Sequence, residues 1–293
     1  MKPPFNFLIT IFTTLFLLNL SGCAKHNYDI PEDLSHYNPS DFETYSRHSG
    51  MCGDCRDEIT RSILYIIHTS GVPDETYALV ADGLNKIIDE AGRSINVLDD
   101  TVDFPQCYRT PDWYQSETRL DKNHLHGYQS DAGAIIDLLR SHDTHHDHFI
   151  VLITDADITS GREGNNFVYG LSSYPYIVIS ARRFLDWKEI NLDGYPDETF
   201  DRALTLVSAH EFGHYLDLVR RDFNCWNDTD TLLDRHCKGE NGPCLMEQVN
   251  VEGCKDVLEQ ADILYEREHW LCPDCTAELF FRMSELEERG FVW

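Results

Sequence analysis

His210, Glu211 and His214 stand in the order His-Glu-Phe-Gly-His. On an α-helix, residues four apart share a face, so this spacing aims two imidazoles at one point with a carboxylate beside them. Two nitrogen ligands and an adjacent glutamate are the core of a zinc hydrolase. Zinc in such a setting lowers the pKa of a water molecule from about 15.7 to about 7. Glu211 then stands where a general base would take the water proton and pass it to a leaving amine. The plainer reading is a surface helix carrying two polar His residues. Against it, Ala203, Leu204, Leu206, Val207, Phe212 and Leu216 make the helix mostly apolar. Burying two imidazoles and a carboxylate there is costly unless they are used.

A catalytic zinc usually takes three protein ligands and a water. Two sources compete for the third. A downstream helix would supply a glutamate, with Glu252 and Glu259 as candidates. Alternatively a turn follows the helix and a third His arrives from a loop. This second arrangement resembles that of metzincins, whose usual spacing would put Gly at 217 and His at 220; the chain has Asp217 and Arg220, so the plain pattern is interrupted. Asp tolerates the left-handed conformation better than most residues, so Asp217 can still end the helix.

The elements that must position these residues read as an alternation of strands and helices. Residues 62–67, 95–98, 149–153, 167–171 and 176–180 are predominantly apolar segments that read as strands. Helical periodicity marks 74–90, with Val72-Pro73-Asp74 before it and Gly92 after it, as well as 130–140 and 198–218. Residues 101–127 read as an irregular insertion. His142, His145, His146 and His148 read as a polar loop leading into the strand at Phe149. The pattern predicts an α/β fold, one mixed twisted sheet with covering helices.

The 293 residues are 42% hydrophobic, enough for a real core. The formal charge of -27, from 51 acidic and 24 basic residues, argues against a nucleic-acid partner, since phosphate binding needs a basic surface. Lys2, the apolar run Phe5 to Leu20 and Leu20-Ser21-Gly22-Cys23 form an export signal ending in a bacterial lipobox. The expected organisation is a signal peptide over 1–22, a tether over 23–58 lipidated at Cys23, and a catalytic domain over 59–293. Ala24 after the Cys fits sorting to the outer membrane, facing the periplasm. That compartment is oxidising, so cysteines need explaining. Cys52 and Cys55 read as a small disulfide loop.

Beyond the helix stand His236-Cys237, Cys244-Leu245-Met246 and Cys272-Pro273-Asp274-Cys275. Thr154-Asp155-Ala156-Asp157, Asn165-Asn166-Phe167-Val168-Tyr169-Gly170 and Arg202-Ala203-Leu204 precede it. With this ordered set, residues 125 to 280 resemble the archaemetzincins, a family of metzincin-like zinc metallopeptidases. Asp217 stands where the family has Gly, and the connection to His236 is longer than the family's. The resemblance implies a zincin fold with an edge strand bordering the cleft and a Cys-rich C-terminal subdomain. It makes His210, His214 and His236 ligands of a catalytic zinc and Glu211 the base. It makes Cys237, Cys244, Cys272 and Cys275 a second, structural zinc site, so that each chain carries two Zn2+. Met246 becomes the Met of the turn beneath the catalytic metal. A substrate strand would lie along Phe167, Val168, Tyr169, Gly170 and Leu171.

The residues alone leave alternatives open. Asp217, Asp222 or Cys225 would serve as third ligand if the long connection did not fold back. The four cysteines would form two disulfides if they did not hold zinc. The expected activity is peptide-bond hydrolysis by a monomer acting on peptide or protein. A lipid-anchored, zinc-stabilised binding module without turnover and a cell-wall amide hydrolase are the competing functions.

Overall fold

A computed structural model describes residues 63–94, 96–99, 110–119, 129–142, 149–160, 167–219, 236–237, 243–247 and 254–288. The expected export signal, the expected tether with Cys23, Cys52 and Cys55, residues 143–148 and residues 220–235 lie outside this set, as does Glu252.

The central sheet has five strands: β1 (Ile63–His68), β2 (Asn96–Asp99), β4 (Phe149–Thr154), β6 (Gly170–Ser173) and β7 (Tyr176–Ser180). Their order is β2-β1-β4-β7-β6. The first four run parallel, and β6 pairs antiparallel with β7, Gly170 opposite Ile179 and Ser173 opposite Tyr176. Every residue of β4 and β7 is buried, as expected of central parallel strands covered on both faces. A two-stranded parallel pair, β3 (Gln129–Asp131) with β5 (Asp157–Thr159), lies beside it.

Strand side chains alternate between two cores, because successive residues of a strand point to opposite faces. Val151, Ile153, Ile177 and Ile179 face α1 (Asp74–Glu90) and α5 (Asp197–Tyr215). Ile150, Leu152, Tyr176 and Val178 face α2 (Pro111–Glu117) and α3 (Ala132–His142). The helix α4 (Arg182–Glu189) and a 3-10 turn (Leu192–Gly194) join β7 to α5. Two helices close the chain, α6 (Cys254–Tyr265) and α7 (Pro273–Glu288). No helix among the described residues is long and apolar enough to cross a membrane.

The architecture is the expected mixed α/β sheet with covering helices and a cysteine cluster near the C-terminus. Three details differ from the sequence reading. The expected insertion over 101–127 contains α2, which starts at Pro111, a residue pre-set for the first helical position. The expected strand over Phe167 to Leu171 begins only at Gly170 and runs to Ser173. Phe167 and Tyr169 turn their rings toward α4 instead: Tyr169 packs on Phe184 and Trp187, and the Arg183 guanidinium lies 3.4 Å over Phe167. The helix expected over 198–218 stops at Tyr215, with Leu216 as its cap.

Candidate metal centres

Helix α5 starts after Pro196, with Asp197 and Glu198 in its first turn, where acidic side chains favour the positive end of the helix dipole. It is buried along most of its length and packs closely on α1: a Cβ on Gly83 of α1 would lie 2.3 Å from the Thr205 carbonyl oxygen. This fixes the helix that carries His210, Glu211 and His214.

The imidazoles of His210, His214 and His236 converge, their ligand atoms all within 4.8 Å of one another. His210 Nε2 and His214 Nε2 are 3.0 Å apart. Nitrogens bound to one tetrahedral zinc at about 2.0–2.1 Å stand about 3.3 Å apart, so the pair is close to ligand spacing. The His210 Nδ1 donates to the Leu245 carbonyl at 2.7 Å, which leaves Nε2 as the lone-pair nitrogen facing its neighbours. Desolvation, then the charge of His236, push the His210 pKa down to about 4, against a smaller opposing effect of the Leu245 bond. The imidazole therefore stays neutral, the form that binds metal.

Glu211 turns toward the edge strand. A Cβ on Gly170 would fall 2.5 Å from Glu211 Cγ, so the carboxylate stands directly against the backbone of β6. Beneath the helix, Met246 is fully buried, and a Cβ on Gly213 would lie 2.2 Å from its Sδ. The floor that presents Leu245 and Met246 is tied in place by backbone bonds. Cys237 N donates to Met246 O at 2.7 Å, and Leu245 N donates to Trp270 O at 2.7 Å. The Trp270 and Leu271 amides in turn donate to the Glu90 carboxylate at the end of α1.

Cys237, Cys244, Cys272 and Cys275 form a second cluster, also within 4.8 Å and wholly buried. Cys237 Sγ and Cys272 Sγ are 3.7 Å apart. Thiolates on one tetrahedral zinc at about 2.3 Å stand about 3.8 Å apart, so this edge already has the spacing of a metal site. Hydrogen bonds from Cys244 and Cys275, and the amides of Cys275 and Asp274 at the start of α7, push Cys272 down to about 2. The bond to Cys272 pushes Cys244 up to about 12, and the same neighbours raise Cys275. Cys244, Cys272 and Cys275 are in no disulfide, whereas Cys237 is disulfide-bonded, so none of those three is its partner. Cys237 reaches thiolate form only after that bond is reduced.

The structure thus brings together both residue sets singled out in the sequence. It does not bring Glu259 to the His cluster: Glu259 is exposed on α6 and pairs with Lys255 at 3.3 Å. Asp217 points to Arg282 of α7, its Oδ2 2.6 Å from Nη2. Of the expected edge-strand residues, Gly170 and Leu171 lie in β6, while Phe167, Val168 and Tyr169 lead into it. Sequence reasoning passed over the Leu245 carbonyl, Glu90, Glu278 and Arg282. Their roles come from chain crossings with no local signal.

No protein-family model and no curated protein matches this chain. Solved structures do. An archaemetzincin from Methanopyrus kandleri aligns with a TM-score of 0.48 at 19% identity, over 76% of this chain and 95% of its own. A zinc-dependent peptidase from Methanocorpusculum labreanum aligns at 0.40 and 16% identity, over 74% of this chain and 99% of its own. An archaemetzincin from Archaeoglobus fulgidus, complexed with malonate, aligns at 0.40 and 20% identity, again over 74% and 99%.

Proposed function

We propose that this chain is a zinc-dependent peptidase of archaemetzincin type, lipid-anchored at Cys23 in a bacterial envelope and facing the periplasm. One observation carries the reading: three imidazoles converge while the glutamate between two of them stands against the strand that ends the sheet among the described residues. A purely structural metal site has no use for that glutamate.

In this reading His210, His214 and His236 hold the catalytic zinc, and the reduced Cys237, Cys244, Cys272 and Cys275 hold a structural one. Zinc, when bound, supplies a Lewis acid that polarises a carbonyl and acidifies water. Glu211 accepts the proton of that water on its carboxylate and delivers it to the leaving amine. The outer edge of β6 offers backbone N–H and C=O groups to an extended peptide, which gives affinity with little sequence preference. Gly170 lets that edge approach Glu211 without a side chain intervening. The acting species is a monomer on a peptide or protein substrate, with no nucleic acid involved.

The test is incubation of the purified protein with a mixed peptide library and with cell-wall fragments, each with and without chelator. Chelator-sensitive cleavage of peptides is expected. Cleavage of the wall fragments alone would move the substrate to peptidoglycan. Zinc binding without cleavage of either would make the protein a binding module.

A further inference from the structure

Helix α5 ends in a turn built against the preferences of its own residues. Asp217 N donates to His214 O at 2.9 Å and Leu218 N to Gly213 O at 3.1 Å, the paired bonds of a Schellman ending. That ending wants glycine at the left-handed position, yet Asp217 occupies it with φ +62°. Two residues later Val219 is also left-handed, with φ +64°. A β-branched residue there is a genuine outlier, and such conformations persist only where the surroundings over-determine them.

The surroundings here are the Arg282 guanidinium and the Glu278 carboxyl group, both on α7. Arg282 Nε donates to the Leu216 carbonyl at 3.0 Å, and its Nη2 pairs with Asp217 Oδ2 at 2.6 Å. Glu278, 0% exposed, accepts the Val219 amide on Oε2 at 2.7 Å. Both strained residues are therefore gripped, one by its side chain and one by its amide. The gripped turn starts two residues after His214 and sets the direction in which the chain leaves the helix. A Cβ on Gly213 would lie 3.5 Å from Leu218 Cδ1, so the same turn also packs back beneath the helix beside Met246. Three residues before Glu278, the same helix carries Cys275 of the thiol cluster.

We infer that Arg282 and Glu278 are positioning residues for the histidine centre: they clamp the strained exit turn of α5 and so fix the C-terminal end of the helix that presents His214. The inference rests on the peptidase reading, because it takes His210, His214 and His236 as one zinc site. Arg282 substitutes for the glycine that the turn lacks. A guanidinium suits this task, since its planar fork serves the Leu216 carbonyl and the Asp217 carboxylate together. Neither side chain touches a reacting atom.

The experiment follows zinc retention by the full chain over a chelator series, with His210→Ala marking which release step belongs to the histidine centre. Thermal midpoint, kcat and KM are measured on the same preparations. Arg282→Met is expected to weaken zinc at that step about 10-fold, the scale seen when groups behind metal ligands are removed. Arg282→Lys, which keeps the charge but not the fork, should fall between parent and Met. Asp217→Gly removes the left-handed strain, so Arg282→Met added to it should cost less than in the parent. In each case kcat should fall more than KM rises. A lower thermal midpoint with the histidine release step unchanged in both Arg282→Met and Arg282→Lys would overturn the inference and leave only a structural ion pair. Absence of a His210-dependent zinc step in the parent itself would instead overturn the reading beneath it, and the inference with it.

Discussion

The α-carbon of Gly170 faces the carboxylate of Glu211, so that a Cβ there would lie 2.8 Å from Cδ and 3.0 Å from Oε1. The rim of the sheet and the candidate base are thus in direct register, with no room for a methyl group between them. Gly170→Ala must push either the strand edge or the carboxylate aside. A misplacement near 1 Å costs about 100-fold in rate when it reaches a catalytic group. The variant is expected to lose about that much kcat while keeping its zinc. Peptide turnover beside metal analysis checks this, and an unchanged kcat would separate Glu211 from the chemistry.

Glu211→Gln tests the base directly. The amide keeps the size of the side chain and removes the proton acceptor. Hydrolysis should fall by about 10²- to 10⁴-fold, the usual contribution of general-base catalysis, with zinc content and thermal midpoint at parental values. Cleavage at the parental rate would exclude Glu211 as base.

How far the sequence disclosed this site depends on whether each partner is local. The i, i+4 spacing of His210 and His214 needs only a helix, and α5 supplies it. The bounds of α1 are legible because Pro73 and Gly92 punctuate a periodic run, and the position of β7 because Tyr176 to Ile179 is an unbroken apolar run. The strand expected from Phe167 is displaced because Tyr169 packs on Phe184 and Trp187 and Val168 makes only an isolated bridge to Ile158, so the regular strand starts at Gly170. The pairing of Asp217 with Arg282 spans 65 positions and leaves no periodic trace. The acceptor that orients His210 is a backbone carbonyl, Leu245, which no residue type can announce.

Gly213 and Met246 give a stability prediction. Ala has the better helix propensity by about 1 kcal/mol. At position 213, however, the added Cβ would meet the buried Met246 Sδ at 2.2 Å. Overpacking of that kind costs about 1–3 kcal/mol, so Gly213→Ala should lower stability in chemical denaturation despite its helical preference. A stabilised variant would mean that Met246 yields freely and does not brace the helix between the two His residues.

Acid should destabilise the metal-free protein through His210. Its imidazole titrates near 4 in the folded state, against 6.5 for an ordinary His. Between these values the unfolded chain binds a proton that the folded chain refuses. The contribution is therefore fully present above pH 6.5 and is lost as pH falls toward 4. Denaturation of chelator-treated protein across this range should show the decline, and His210→Gln should flatten it. Equal slopes in parent and variant would assign the pH dependence to other groups.

Reduction should govern metal content. Three of the clustered cysteines are in no disulfide, and Cys237 is disulfide-bonded while its Sγ sits 3.7 Å from that of Cys272. A tetrahedral thiolate centre needs the fourth sulfur deprotonated and unbonded. Protein loaded with zinc under reductant should retain more metal after dialysis than protein loaded without it. Cys237→Ser should abolish the difference by holding both preparations at the lower content. The thermal midpoint of the parent should rise with the added zinc, because a ligand that binds only the folded state stabilises it by mass action. Equal zinc content in the two parental preparations would show that Cys237 does not take part, and that Cys244, Cys272 and Cys275 bind whatever metal the cluster holds without it.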